Sequence, residues 1–460
     1  MTLPTEFLTR MEALLGADFP AFAEALAAEP VKALRVNPIK ISADAFASAA
    51  PFSLTPLPYA PGAFIIDAAE GAGRSPLHHA GAYYMQDPGA MAAAASLPDE
   101  VFVPGMRILD VCAAPGGKST ALAARAAACG GTLLSNEYVA SRARILAGNI
   151  ERMGLSNVVV TNTDSDHLAA WYPGYFHLVA ADVPCSGEGM MRKSENAVTE
   201  WSTDNVKLCA ARSAEILENA AKCVAAGGYL LYSTCTYAAE ENESLIAAFL
   251  DAHPSFSLVP VREEVRAHSA DGIDVTGEHP ALRHCRRFYP HIAPGEGQFV
   301  ALMRRDESDM ARGGIIKTAA KSPAKADLAA AEEFLREALG HTLPGLMLCG
   351  GNLTAFDGDL PIPPAGVVSA GVTLGERRRG RIVPHHHLFM AYGKEFPAKL
   401  VLAPEDARVM RYLVGEEIES DAAGYTAVLL DFGGTLLTLG GGKSSGGRLK
   451  NYYPKGLRVR

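Results

Sequence analysis

Between residues 81 and 305 apolar runs of strand length alternate with stretches of helical periodicity. The candidate strands are 107–111, 131–136, 158–162, 178–182, 229–233 and 298–303. Helical spacing fills the gaps, including 119–128 and 140–153, the latter stopped by Gly154. Continuous apolar strands separated by helices predict an α/β fold, with a parallel sheet covered on both faces. The flanks read differently. Phe7, Leu8, Met11, Leu14 and Leu15 recur at helical spacing, followed by Phe22, Leu26 and a stop at Pro30. Short strand-like pieces at 33–36 and 62–66 follow, so 1–80 reads as a small α+β module, expected to carry no chemistry.

Residues 311–328, rich in Ala, Lys, Gly and Ser, read as a linker. Beyond it, 329–395 mixes one helix (330–339) with short strands, and 396–460 joins a helix near 405–414 to the strand pair 426–430 and 435–439. The expected units are therefore 1–80, 81–305, 306–395 (linker and intermediate domain) and 396–460 (a β-rich module with a basic end).

Composition narrows the class. A 48% hydrophobic and 20% charged chain of 460 residues is ordinary for a soluble globular protein. Apolar stretches are broken well short of the roughly 18 residues that a spanning helix needs, and residues 1–12 lack the apolar core of a signal peptide. A cytoplasmic protein without a membrane partner, and a monomer, is expected. Its eight cysteines (112, 129, 185, 209, 223, 235, 285, 349) include no C-x-x-C pair, which argues against zinc and against a disulfide framework. His385-His386-His387 has no acid or cysteine cluster to complete a metal site, and a polar loop is expected there. The net charge of −9 argues against a surface that coats nucleic acid throughout. The end differs: Lys443, Arg448, Lys450, Lys455, Arg458 and Arg460 occur with no acid between them, and Arg377, Arg378, Arg379 and Arg381 cluster upstream. Interleaved Tyr452 and Tyr453 point this end toward RNA, because aromatic rings stack on unpaired bases.

The chemistry lies at the predicted strand ends. The first strand runs into Asp110-Val111-Cys112-Ala113-Ala114-Pro115-Gly116-Gly117-Lys118-Ser119, a Gly-rich turn that lets backbone approach a ligand. Glu137 ends the second strand, where an acid can bind a ribose diol; Asp164 follows the third, placed to meet an adenine; Asp182 ends the fourth. The turn is neither G-x-G-x-x-G nor G-x-x-x-x-G-K-[ST], which disfavours a dinucleotide or a nucleoside triphosphate. Asp182-Val183-Pro184-Cys185-Ser186-Gly187-Glu188-Gly189 follows strand four, and Tyr232-Ser233-Thr234-Cys235-Thr236 ends strand five. Two thiols at neighbouring strand ends suit covalent catalysis, in which a thiolate adds to a carbon of the substrate. Spacing alone does not decide which thiol attacks.

Cys112-Ala-Ala-Pro-Gly-Gly-Lys118, with both cysteine motifs, resembles the Nol/Nop/Sun family of RNA cytosine-5 methyltransferases. The resemblance implies a Rossmann-like methyltransferase core that binds S-adenosyl-L-methionine through Cys112, Ala113, Ala114, Pro115, Gly116, Gly117, Lys118, Glu137, Asp164 and Asp182. It implies that Cys235 is the nucleophile and that Cys185 assists proton removal and release; a carboxyl group near ring nitrogen 3 can stabilise charge as the thiol adds, a role that suits Asp182, with Lys118 as an extra contact to the base. Val183 stands where the family usually has Ala. Phe7-Leu8-x-Arg10-Met11, Leu34-Arg35-Val36-Asn37, Gly81-x-Tyr83-Tyr84-x-Gln86-Asp87-Pro88 and Leu449-Lys450-Asn451-x-Tyr453-Pro454-Lys455-Gly456 look like the flanks of bacterial RsmF/YebU-type enzymes. Those flanks imply 16S rRNA as substrate and a PUA-like RNA-binding region at the end; a tRNA substrate is the alternative. An assembly factor without catalysis would be expected to lack a motif cysteine. A nitrogen methyltransferase would carry an Asn/Asp-Pro-Pro-Tyr/Phe-type motif where Asp182-Val-Pro-Cys185 stands.

Overall fold

The computed structural model describes residues 3–67, 71–309, 316–320, 322–378 and 381–459; Arg379 and Arg460, the Arg378 side chain and part of the expected linker lie outside them. At its centre is a ten-stranded sheet. We label its main elements β1 (Arg107–Asp110), α1 (Gly117–Ala128), β2 (Thr132–Asn136), α2 (Ala140–Met153), β3 (Val158–Thr161), α3 (Ser165–Trp171), β4 (Phe176–Asp182), α4 (Thr203–Cys223), β5 (Val224–Thr234), α5 (Glu243–Ala252), β6 (Gln298–Arg305) and β7 (Val367–Ala370). The order across the sheet is β6-β5-β4-β1-β2-β3-β7. The pairs β4–β5, β1–β4, β1–β2 and β2–β3 are parallel.

Successive residues of a strand face opposite sides, and each central strand supplies both layers. Ile108, Leu133, Leu178 and Leu231 pack with Leu122 of α1 and Leu146 of α2. Leu109, Leu134, Val179 and Leu230 pack with Leu217 of α4 and Ile246 of α5. The result is a parallel core with helices on both faces, as the apolar pattern predicts. It is not parallel throughout: β6 pairs antiparallel with β5, and β7 antiparallel with β3. An apolar run carries no mark of its direction, so both orientations were open.

Sheets cross the expected boundaries at two places. Tyr83–Met85 pairs with Lys32–Val36 inside the N-terminal four-stranded sheet. β7 comes from the stretch assigned to the intermediate domain, and the helix Lys325–Leu339 starts within the expected linker. The basic end is not a tail: Thr435–Ser445 and Arg448–Asn451 are strands of the C-terminal five-stranded sheet. Leu34, Phe46 and Tyr83 share one core with Tyr412, Leu437, Leu449 and Tyr453, so the two terminal modules pack on each other. Tyr453 is therefore a core residue, contrary to the expectation that it stacks on RNA; its hydroxyl lies 2.7 Å from His79 Nδ1.

The three histidines also differ from expectation. His385 caps the helix His386–Tyr392, and His386 and His387 are buried in its first turn. Leu388, Phe389 and Met390 behind them are core residues and draw them inside. His387 Nε2 lies 3.1 Å from Leu155 O, whereas neither ring nitrogen of His386 has a partner. Burial, and then the neighbouring histidines, pull His386 down to about 3. The unfolded chain then binds a proton that the folded chain does not, so this contribution is present above about pH 6.5 and is lost as pH falls toward 3. Replacing the imidazole with an apolar ring, His386→Phe, should thus shift relative stability in the variant's favour by about 2 kcal/mol between pH 6.5 and 5. Denaturant melts of both proteins at the two pH values check this; a pH-independent gap would refute it.

Candidate active site

The turn after β1 is fixed from several sides. Asp110 is buried; its Oδ2 accepts from Ser119 Oγ at 2.6 Å, and its Oδ1 is buried with no partner. Gly116 has φ +114, in the left-handed region, so a side chain there would be strained. A Cβ on Gly117 would come within 2.9 Å of Gln86. The carbonyls of the turn are held: Pro115 O by Asn149 Nδ2 (2.8 Å) and the Tyr84 hydroxyl (3.2 Å), Ala114 O by Arg142 (2.9 Å), and Gly117 O by Arg35 (3.1 Å). Arg35 comes from the 1–80 module that was expected to carry no chemistry, and Tyr84 and Gln86 follow just after it. They act by shaping the loop that follows.

Glu137 is buried, and its Oε1 accepts from Val139 N at 2.8 Å. Asp164 caps α3, accepting from His167 N at 2.9 Å and contacting its Nδ1 at 2.7 Å, so its own helix orients it. Burial, then the charges of Asp110, Asp182 and Glu137, push the Cys112 thiol up. Three acids thus bear on one turn, Asp110 with its bare oxygen among them, and they favour a ligand that carries positive charge and hydroxyl donors.

β4 and β5 bring the two cysteine motifs together. Asp182 lies opposite Ser233 in the parallel ladder, and three residues on Cys185 Sγ is 3.3 Å from Cys235 Sγ. Asp182 accepts from Lys118 Nζ at 2.7 Å and from Ser233 Oγ at 2.7 Å. Burial pulls the Lys118 ammonium down, but the charge and hydrogen bond of Asp182, then Cys235 and Asp110, outweigh it and hold Lys118 protonated. Cys185 is pushed well up, first by its hydrogen bond with Cys235, then by burial, then by the charges of Cys235 and Glu241. This surrounding holds the proton on Cys185.

The loop after Cys185 is sewn to the end of β5. Gly189 N donates to Cys235 O at 2.9 Å, and a Cβ at Gly189 would meet that oxygen and Gly297 N within 2.9 Å. Ser186 Oγ and Thr236 Oγ1 are 2.8 Å apart. Glu188 accepts from Thr236 Oγ1 and Tyr237 N at 3.0 Å and from Trp201 Nε1 at 2.9 Å. Trp201 and Tyr237 in turn pack on Phe7 of the first helix, Thr5–Leu15, and Arg10 pairs with Glu240 at 2.8 Å. Buried Arg287 pairs with Glu243 and donates to Tyr237 O at 2.8 Å. Glu188 and Glu241 stand in stretches that resemble the family but had no role assigned from sequence, and Trp201 and Arg287 were not singled out. The available signal was a run of acids beside an apolar motif, which reads as solvent-facing until their partners are known.

With this geometry in place, comparison with known proteins is direct. The 16S rRNA methyltransferase RsmB/F family matches residues 102–304, the N-terminal domain of 16S rRNA methyltransferase RsmF matches 3–88, and the methyltransferase RsmF PUA domain matches 399–459. The ribosomal RNA small subunit methyltransferase F of Vibrio vulnificus (strain YJ016) is 30% identical over 485 residues, covering 99% of this chain and 97% of its own. That of Klebsiella pneumoniae (strain 342) is 36% identical over 311 residues, 66% of this chain and 63% of its own. Among solved structures, a methyltransferase homolog protein from Pyrococcus horikoshii superposes with a TM-score of 0.57 at 25% identity, covering 66% of this chain and 95% of its own. The full-length likeness and all three domain matches agree: the chain belongs to the family of ribosomal RNA small subunit methyltransferase F.

Proposed function

We propose that this protein methylates carbon 5 of a cytosine in 16S rRNA, with S-adenosyl-L-methionine as methyl donor and Cys235 as nucleophile. The observation that carries this reading is the pair of thiols 3.3 Å apart at the ends of β4 and β5, beside the Lys118–Asp182 ion pair. The carboxylates around the turn after β1 fit the donor, whose sulfonium is positive and whose ribose offers two hydroxyls. Residues 112–118 with Glu137, Asp164 and Asp182 would hold it, and when bound it supplies an electrophilic methyl group.

The chain's own residues do the rest. Cys235 sulfur adds to carbon 6 of the base, and carbon 5 gains the electron density needed to take the methyl group. Lys118, kept protonated beside Asp182, stabilises the negative charge that the base acquires as the sulfur adds. Cys185 keeps its proton during the attack, gives it to solvent once Cys235 has bonded to the base and, as thiolate, takes the carbon 5 proton; the carbon 6–sulfur bond then breaks and its electron pair returns to Cys235. The substrate assignment draws on the full-length likeness to enzymes named for the small-subunit RNA. Bisulfite mapping of rRNA and tRNA from cells with and without the protein tests it: a 16S cytosine should lose its mark, and a change confined to tRNA would overturn the assignment.

The C-terminal sheet supplies an RNA face. Exposed Lys443 and Lys450 stand directly opposite each other on neighbouring strands, and Lys443 Nζ is 5.1 Å from the Tyr425 ring centroid. Like charges so placed repel unless an anion lies between them. The double replacement Lys443→Ala, Lys450→Ala should weaken RNA binding and lower the slope of log K against log salt by roughly 1.5. Titration at several salt concentrations reads this, and an unchanged slope would return the pair to a solvated surface. Because Leu449 and Tyr453 are core residues, deleting the whole segment would unfold the module and test nothing about RNA.

A further inference from the structure

Each turnover replaces a carbon 5 hydrogen with a methyl group and therefore sets free one proton. On the reading above Cys185 gives one proton to solvent after the attack, and the carbon 5 proton then restores its thiol for the next cycle. Cys185 must also keep its proton while Cys235 attacks, because two neighbouring thiolates repel each other. Something beside Cys185 has to govern this, and the buried acids of the loop differ in one respect. Glu188 is satisfied by Trp201, Thr236 and Tyr237, and Glu243 by Arg287. Glu241 has one carboxylate oxygen on Ser186 N at 3.0 Å, while its other oxygen, Oε1, is buried with no partner.

Glu241 is fully buried and has no ion-pair partner among the described residues. Its carbonyl takes the Tyr232 hydroxyl at 2.6 Å, so β5 pins its backbone while the turn after β4 pins its side chain. The groups around it are of one kind. Glu188 and Glu240 oppose its ionisation, and its own charge reaches Cys185, Cys209 and Tyr232. Arg10, on Glu240, and Arg212, on Cys209, bring positive charge to that neighbourhood.

We propose that Glu241 is a positioning residue for release: through Ser186 it fixes the Cys185 turn, and its charge keeps the proton on Cys185 until Cys235 has bonded to the base. This rests on Cys185 being the release thiol. Burial lifts the Glu241 carboxyl to about 7, so its charge comes and goes in the range where such an enzyme works.

The test separates this role from simple structural support. In protein carrying Cys235→Ser, alkylation of Cys185 by iodoacetamide is followed by mass spectrometry from neutral to alkaline pH. Adding Glu241→Gln, which keeps an oxygen for Ser186 N, should lower the midpoint by about one pH unit, tenfold in thiolate at fixed pH. Glu241→Asp keeps the charge at a greater distance and should shift it less in the same direction. In protein with both cysteines present, decay of the enzyme–RNA adduct should begin at correspondingly lower pH in Glu241→Gln than in the parent. A Cys185 midpoint that does not move, or that moves further with Asp than with Gln, overturns the role of Glu241 while leaving the cysteine mechanism standing. If Cys185→Ala forms no adduct with RNA, the cysteine mechanism falls and this role falls with it.

Discussion

Cys235→Ala should abolish methyl transfer, by about 10³-fold or more, and leave the affinity for adenosylmethionine nearly unchanged. The expectation follows from where its atoms lie. The Cys235 carbonyl holds Gly189 N at 2.9 Å, and a backbone contact survives loss of the side chain. Only the sulfur is lost, and its near neighbour is Cys185 at 3.3 Å, not the turn of Gly116 and Gly117. That turn is held by Asn149, Tyr84, Arg142 and Arg35, none of which touches Cys235. Without the sulfur no bond forms at carbon 6, and carbon 5 remains too weak a nucleophile to take a methyl group. Single-turnover transfer of labelled methyl to RNA, with calorimetric titration of the cofactor, reads the two quantities separately. Retained turnover would remove Cys235 as nucleophile; lost cofactor affinity would show that it supports the turn instead.

The site was legible in the sequence where motif and strand end coincide. Asp110, Asp182 and Cys235 each close or follow an apolar run, and a strand end is a fixed point: once β4 and β5 lie parallel, Cys185 and Cys235 have to meet. The acids behind them were not legible in the same way. Glu188, Glu241 and Glu243 are charged, and a charged residue with no visible partner is expected in water. Their partners, Trp201, Ser186 and Arg287, come from separate elements, so their burial exists only in the folded chain. β5 begins at Val224, five residues before the expected start, because Gly227 and Gly228 interrupt its pattern. β7 is four residues long and pairs with a strand some two hundred positions earlier, a partnership that local periodicity does not encode. The N-terminal module shows the same limit. Its apolar spacing revealed which residues are buried, but not that Phe7 would face Trp201 or that Arg35 would hold Gly117 O.

Cys185→Ala should attack and methylate the base and then stall, leaving an enzyme–RNA adduct that survives denaturing electrophoresis. Hydrogen bonding with Cys235, burial and nearby charge push the Cys185 thiol up, which disfavours it as the attacking group and suits it to proton exchange afterwards. Removing its sulfur leaves Cys235 on β5, with Lys118 and Asp182 still paired at 2.7 Å, so addition and methyl transfer retain their machinery. What is lost is the group that takes the carbon 5 proton, and without that step the carbon 6–sulfur bond does not break. Adduct lifetime should rise on the order of 10²-fold or more, the usual cost of losing a positioned base. Cys235→Ala and the double variant should form no adduct, because attack precedes release. The adduct should persist only when adenosylmethionine is present, since addition to an unmethylated base readily reverses. Reducing agent should leave it intact, because the bond is a thioether and not a disulfide. An adduct that appears with Cys235→Ala and not with Cys185→Ala would exchange the two roles, making Cys185 the nucleophile and Cys235 the base.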